Sequence, residues 1–257
     1  MSKKQKLTTT FIFLVILLSL VIAPSIALAE PEVILPGIDF NVNSSSNPED
    51  VVTTVQILLM LTILSLAPAI LILMTSFTRI VIVLSFVRNA LATQQMPPNQ
   101  VIIGLALFLT FFIMGPALTE ANENALQPYL NGEITQEVAL QEASMPFKQF
   151  MIKQTREKDI LLFLNYAKLE KPKSIEEMPL RILVPAFAIS ELKTAFQMGF
   201  MIFIPFLVID MIVASALMAM GMMMLPPVMI SLPFKILLFV LVDGWYLVVK
   251  SLLESFH

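Results

Sequence analysis

Long apolar stretches separated by shorter polar segments run along most of the chain. About 20 apolar residues are enough for a helix to cross a bilayer. Residues 55–74 and 101–118 approach that length, residues 180–220 exceed it, and residues 236–249 fall short of it. Pro68 and Pro205 lie inside two of these stretches and favour bent helices. The pattern therefore predicts an all-α, membrane-associated fold of kinked helices.

A further apolar stretch, residues 7–23, follows a basic leader that contains Lys3, Lys4 and Lys6. Ala27 and Ala29 then form a small-x-small site, as at the end of a secretory signal peptide. We expect residues 1–29 to be a signal peptide, and an uncleaved first membrane anchor is the alternative. Residues 30–54 are rich in proline, serine and acidic side chains, which predicts a polar external linker.

The remaining chain divides into three regions. Residues 55–118 predict a first apolar helical hairpin region, and residues 181–257 predict a second apolar helical region. Between them, residues 119–180 are mainly polar. Their apolar positions follow helical spacing, which predicts a small external helical subdomain in which Pro146 occupies the first turn of a helix.

Two arginines flank an apolar octet, residues 80–87, that is too short to cross a bilayer. Arg79 and Arg88 agree with a cytoplasmic position, because short cytoplasmic loops are enriched in positive charge. Nine residues along a helix place them on opposite sides. We therefore expect one arginine at the membrane interface and the other in a subunit contact, within a hairpin or re-entrant helix over residues 75–99.

Composition excludes several classes of function. The 257 residues are 57% hydrophobic and 14% charged, against about 25% charged residues in soluble domains. The chain has no cysteine and one histidine, His257, which excludes thiolate metal sites and triads that need an internal histidine. A net charge of −3 gives no reason to expect nucleic acid, and no phosphate-binding glycine loop is present. We expect no cofactor, no metal and no enzymatic activity.

Ionisable side chains within or beside the apolar stretches are costly and usually have a partner or face water. Glu191 and Lys235 carry opposite charges, and we expect them to form a structural ion pair within or between subunits; a proton or ion relay is the rival interpretation. Lys193, Asp210 and Asp243 are further intramembrane charges. The two aspartates also raise the weaker hypothesis of a shared-proton catalytic pair.

Three consecutive methionines, Met222, Met223 and Met224, follow Gly221 and precede Pro226 and Pro227. The glycine and the two prolines predict a bend, because neither residue type continues a regular helix. Methionine is flexible and polarizable, so it can close around irregular objects. The pattern predicts either a deformable pore constriction at a helix break or methionines that fill a gap in a helical core.

Three long segments together resemble the FliP family of flagellar type III secretion export-gate proteins and its virulence-secretion relatives. They cover residues 74–116, 181–200 and 220–245, and they follow the order of the family. Their sequences are MTSFTRIVIVLSFVRNALATQQMPPNQVIIGLALFLTFFIMGP, RILVPAFAISELKTAFQMGF and MGMMMLPPVMISLPFKILLFVLVDGW.

The resemblance implies a fold of kinked helical hairpins that assembles into a ring, a function and a set of partners. It implies a pentameric ring in the bacterial cell membrane, within the flagellar basal body, assembled with FliQ- and FliR-like proteins and acting beside FlhB- and FlhA-like export proteins. The ring would conduct unfolded flagellar polypeptides, and Met222 to Met224 would form a gasket around the closed pore. Membrane lipid is a further expected partner.

A monomeric or small-oligomer membrane transporter or ion channel is the competing interpretation, since broken helices and intramembrane charges suit it as well. Oligomeric state separates the two classes. The residues leave open whether the system is flagellar or a virulence apparatus.

Overall fold

The computed structural model describes residues 57–58, 61–62, 64–66, 68–70, 72–93, 95–222 and 224–256. The predicted signal peptide and external linker lie outside the described residues. Regular secondary structure within the described ranges is entirely helical, which confirms the all-α prediction. Assembly into a ring and the external position of residues 119–180 stay predictions.

Seven α-helices of ten or more residues, α1 to α7, are described in full. A helical segment, Leu64–Met74, precedes α1 and meets it at a 66° bend. After α2 the chain continues through a π-helical turn, Asn122–Leu126, and a short helix, Gln127–Leu130. The seven helices are α1 (Phe77–Ala90), α2 (Asn99–Ala121), α3 (Gln136–Gln154), α4 (Glu157–Tyr166), α5 (Leu180–Ala219), α6 (Pro227–Leu241) and α7 (Gly244–Glu254).

Helix α1 lies at the centre of the main hydrophobic core. Ile80, Val83, Leu84 and Val87 recur at the i, i+3, i+4, i+7 spacing of one helix face and are almost completely buried. They pack with Ala195 of α5 and with residues from α2, α6 and α7. The apolar octet of α1 is therefore covered by protein on the face that these four side chains form.

A second core lies where α3, α4 and the start of α5 meet. It contains Met151, Leu164, Leu183 and Phe187, all at most 1% exposed.

Residues 119–180 are largely helical, as the spacing predicted. The predicted place of Pro146 is wrong, because α3 starts ten residues earlier. Its N-cap is Thr135, whose hydroxyl accepts from the backbone N–H of Val138, so an ordinary side-chain cap rather than the proline begins the helix.

Two continuous helices are long and apolar enough to cross a membrane, Asn99–Leu130 and Leu180–Ala219. The number rises to four if each bent pair counts as one span: Leu64–Met74 with α1, and α6 with α7, which meet at 63°. Helix α5 has 40 residues and runs through Pro185 and Pro205 without ending. At 1.5 Å per residue it is about 60 Å long, roughly twice the thickness of the hydrocarbon layer.

The contact between α1 and α5 depends on a glycine. A Cβ atom at Gly199 would lie 2.5 Å from two ring atoms of Phe86. We expect Gly199→Ala to lower the free energy of unfolding by about 1–3 kcal/mol, the usual cost of overpacking. The free energy is measured by chemical unfolding of the purified chain in detergent.

The matched control for this substitution is Gly104→Ala in α2, where a Cβ would meet nothing within 4 Å. Alanine there gains helix propensity, so stability should be unchanged or slightly higher. Equal losses from the two substitutions would contradict close packing at Gly199.

Candidate functional site

The methionine-rich loop between α5 and α6 begins with a well-defined helix end. Gly221 has φ +74°, and its N–H donates to the carbonyl of Met218 at 3.0 Å. The N–H of Met222 donates to the carbonyl of Leu217, also at 3.0 Å. These two bonds form a Schellman motif, in which a left-handed residue turns the chain out of the helix. Glycine suits that position because it has no Cβ to clash.

The loop ends as sharply as it begins. Pro226 is the N-cap of α6 and Pro227 is its first residue, a position where a missing N–H costs nothing. Between these two ends, Met222 is 38% exposed and Met224 is 98% exposed, while Met223 lies outside the described residues. Within one chain, Met224 therefore does not fill a gap in a core. The loop presents soft apolar side chains on a backbone whose two ends are tightly held.

A buried ion pair joins α1 to α5. Arg79 is 2% exposed and Glu191 is fully buried. The Nε of Arg79 donates to Glu191 Oε2 at 2.9 Å, and its Nη2 donates to Glu191 Oε1. This two-pronged geometry is the strong form of an arginine–carboxylate pair. Each of the two charges compensates the other, because an unpaired charge in the core would strongly destabilise the fold.

The remaining donors of Arg79 bind groups from two other parts of the chain. Nη1 donates to the carbonyl and to the hydroxyl of Ser255, at 2.8 and 3.0 Å. Nη2 also donates to Gln154 Oε1 of α3 at 3.0 Å, and the Phe256 ring lies 3.8 Å from the guanidinium carbon. All five N–H groups of the arginine are satisfied. The sequence analysis missed Gln154, Ser255 and Phe256, because no local pattern marks partners 75 or more residues away.

The predicted roles of the two arginines need correction. Arg79 is buried inside the chain, so it serves neither a membrane interface nor a subunit contact. It points inward because it shares a helix face with Val83 and Val87, which face the core. Arg88 lies at the other end of α1, where its Nη1 donates to Asn99 Oδ1 at the start of α2. The cytoplasmic position of the two arginines stays a prediction.

A second ion pair joins α5 to α6. Lys235 is 2% exposed, and its Nζ donates to Asp210 Oδ2 at 2.6 Å and to the carbonyl of Ala90 at 3.2 Å. The Ala90 carbonyl belongs to the last turn of α1, where the helix dipole favours a cation. The hydroxyl of Ser231 donates to the other oxygen of Asp210.

The prediction that Glu191 and Lys235 pair with each other is wrong within one chain. Each of them has a different partner, because α1 supplies an arginine to Glu191 while α5 supplies an aspartate to Lys235. A pairing between subunits stays a prediction. Asp210 is held in a structural ion pair, an arrangement unlike a shared-proton carboxylate pair. Asp243 has φ +51° and forms the N-cap of α7, at the bend after α6.

Lys193 lies on the part of α5 that contacts α4. There the hydroxyl of Ser190 donates to Asp159 Oδ2 at 2.6 Å, and Arg156 Nη2 lies 2.6 Å from the same oxygen. Burial raises the pKa of Asp159, but the hydrogen bonds from Ser190 and Arg156 outweigh it and hold the pKa below its usual range. This carboxylate stays charged and fixes the start of α4 against α5.

An all-helical fold with two to four helices able to cross a membrane, joined by buried ion pairs, is the fold of a helical membrane protein. A sequence profile described as the FliP family matches residues 60–252. The chain therefore belongs to the FliP family.

Curated relatives agree with this assignment. The chain is 70% identical over 216 residues to a flagellar biosynthetic protein FliP from Bacillus subtilis, covering 84% of this chain and 98% of the relative. It is 55% identical over 204 residues to the protein of that name from Pectobacterium carotovorum, covering 79% of each chain. For Aquifex aeolicus the identity is 51% over 225 residues, covering 87% of this chain and 92% of the relative.

The buried pair generates a quantitative expectation. Glu191→Ala would leave the guanidinium of Arg79 without its counter-ion, so we expect a loss of about 3–5 kcal/mol in the free energy of unfolding. The double variant Arg79→Met with Glu191→Met removes both charges and should recover much of that loss. Chemical unfolding of the purified chain measures both values.

The control for the pair is Glu254→Ala, which removes an exposed carboxylate 3.8 Å from Lys250 on α7. It should change stability little, because exposed pairs contribute little. The single variants Arg79→Met and Glu191→Met complete the cycle, and a double variant as unstable as the sum of their two losses would refute the coupling between Arg79 and Glu191.

Proposed function

We propose that the chain is a core subunit of the type III protein export gate in the bacterial cell membrane, at the flagellar basal body. Several copies form a ring with FliQ- and FliR-like partners, beside FlhB- and FlhA-like export proteins. The ring conducts unfolded flagellar polypeptides, and the chain is needed for flagellum assembly. The observation that carries the proposal is the exposed methionine loop of a FliP-family chain, held by Gly221 and by Pro226 and Pro227.

The loop supports a sealing role on physical grounds. The Schellman motif and the proline pair fix the two ends of the loop backbone. The methionine side chains would therefore occupy the same position in each copy. Thioether side chains close an opening by dispersion contact and by excluding water, as hydrophobic constrictions do in channels. They also yield to an extended polypeptide, since they have three rotatable bonds and no preference for sequence.

The apolar surface of one chain supports assembly with neighbours. Large apolar side chains on the outside of α2 and α5 stay exposed, including Phe108 at 78%, Phe112 at 71% and Met201 at 68%. Contiguous exposed apolar surface marks a membrane or protein contact. In a ring, lipid would cover one part of this surface and neighbouring copies another.

A monomeric or small-oligomer transporter or channel is the second candidate, favoured by the ionisable pairs within the apolar helices. Family membership and the named flagellar relatives support the gate. The relatives also support a flagellar rather than a virulence system.

Removing the methionines tests the seal. We expect the triple substitution of Met222, Met223 and Met224 by alanine to raise the ion permeability of cells that hold the assembled complex, because alanine is too short to close the opening. Conductance and ion-uptake measurements would show the change. The control is a triple substitution of exposed methionines on α5, Met201, Met211 and Met218, which should leave permeability at background. Background permeability in an assembled loop variant would refute the seal.

Cross-linking tests whether the loops of several copies converge. The chain has no cysteine, so Met224→Cys creates a unique thiol on an exposed side chain. We expect rapid disulfide formation between copies in the assembled complex, seen as dimers on non-reducing gels. Lys173→Cys, in the exposed segment before α5, serves as the control and should cross-link slowly. Equal rates at the two positions would contradict a shared axis.

A further inference from the structure

An apolar groove of about 420 Å³ lies between the end of α2 and the first half of α3. The π-helical turn after α2 forms part of its wall, and such turns are frequent at functional sites. Leu126 and Leu140 on its sides are 50% and 66% exposed, so no described residue of the same chain covers them. Small side chains form the floor between the leucines: Ala121, Ala125 and Ala139.

Acidic side chains border this groove. Between Arg88 and Lys148 the chain contains five glutamates and no lysine or arginine. With about 100° per residue, Glu137 and Glu142 lie about 110° to either side of the face of α3 that lines the groove. Glu123 belongs to the π-helical turn. All three are exposed, and none pairs with a cation in the part of the chain that the structure describes. Carboxylates are costly in lipid, so a bilayer is an unsuitable cover for the groove.

Helix α4 carries a surface of complementary character. Its inner face is packed, and Leu164 there is 1% exposed. On its outer face Lys158, Leu162 and Tyr166 follow one another in steps of four residues, the spacing of one helix face. Leu162 is 55% and Tyr166 is 91% exposed. Lys168 follows the helix, and neither lysine takes part in an ion pair among the described residues.

One chain does not bring the two surfaces together. Helix α3 extends about 21 Å from Leu140 to its end at Gln154, and α4 begins only after that end. Helix α4 then packs against α5 rather than back along α3. The groove and the outer face of α4 therefore lie apart in one chain, and a second copy supplies what each surface lacks.

We propose that the outer face of α4 in one copy docks into the groove between α2 and α3 of the next copy. Leu162 and Tyr166 fill the groove, and the two lysines face the glutamates at its rim. An apolar centre with a polar rim is the usual build of an interface, and tyrosine is enriched among the side chains that dominate binding. A contact between unlike surfaces of identical chains can close into a ring. The inference rests on the proposed function, because it assigns the surfaces that join copies of the ring.

Directed cross-linking between copies tests the contact. The chain has no cysteine, so a copy with Leu140→Cys is co-expressed with a differently tagged copy that carries Leu162→Cys. We expect oxidation of the assembled complex to join the two tags. Either variant alone should stay unlinked, because the contact joins unlike surfaces. In the control, Tyr246→Cys on α7, whose side chain is 60% exposed, replaces Leu162→Cys and should not cross-link to Leu140→Cys.

Charge reversal tests the complementarity of the two surfaces. Glu137→Lys with Glu142→Lys, placed on the copy that carries Leu140→Cys, should slow the cross-linking at least tenfold, since like charges oppose each other across an interface. Lys158→Glu with Lys168→Glu on the other copy should have the same effect. Combining the two reversals should restore most of the rate. A misfolded surface would not recover in this way.

The matched control is Glu176→Lys with Glu254→Lys, the same charge change at exposed carboxylates outside both surfaces, and it should leave the rate unchanged. Native gel electrophoresis reports assembly in each case. Assembled rings without the cross-link would overturn this contact and leave the proposed function intact. Cross-linking of either variant alone at the same rate, or of Leu140→Cys to a different protein, would also overturn it. A chain that stays monomeric with its partners present would refute the proposed ring itself.

Discussion

The fold depends on one buried contact, the ion pair between Arg79 and Glu191. A charge in the core is tolerated only when its partner and its remaining hydrogen bonds are all supplied. Arg79 meets this condition by drawing on α5, on Gln154 of α3 and on the chain end at Ser255. Because losing any one partner leaves a buried group unsatisfied, the pair holds four separate parts of the chain in one arrangement.

This arrangement connects α1, whose apolar side chains are largely buried, to helices that expose many of theirs. Helix α1 carries its apolar side chains inward, while α2 and α5 leave aromatic side chains such as Phe108 and Phe200 on the outside. A second ion pair, Lys235 with Asp210, ties α6 to the outer helix α5 and to the end of α1. Polar contacts thus set the positions of helices whose apolar surfaces alone would allow many packings.

The methionine loop combines a defined backbone with adaptable side chains. Gly221 and the pair Pro226 and Pro227 determine where the chain leaves one helix and enters the next. Flexible side chains on a fixed frame suit a seal that closes and yields without refolding.

The sequence by itself determined the helical class, the long apolar helix α5 and the bend around the methionines, because these follow from local spacing and from the chemistry of glycine and proline. It also singled out Glu191, Asp210 and Lys235 as charges that need partners, but it did not place the buried Arg79 among them. Only the tertiary structure decided their partners: Glu191 binds Arg79 rather than Lys235, and Asp210 takes Lys235. Pro146 likewise lies inside α3, because a cap at Thr135 begins that helix earlier. Ion pairs join residues far apart in the chain, so they are decided by which helix faces meet, and local periodicity carries no information about that.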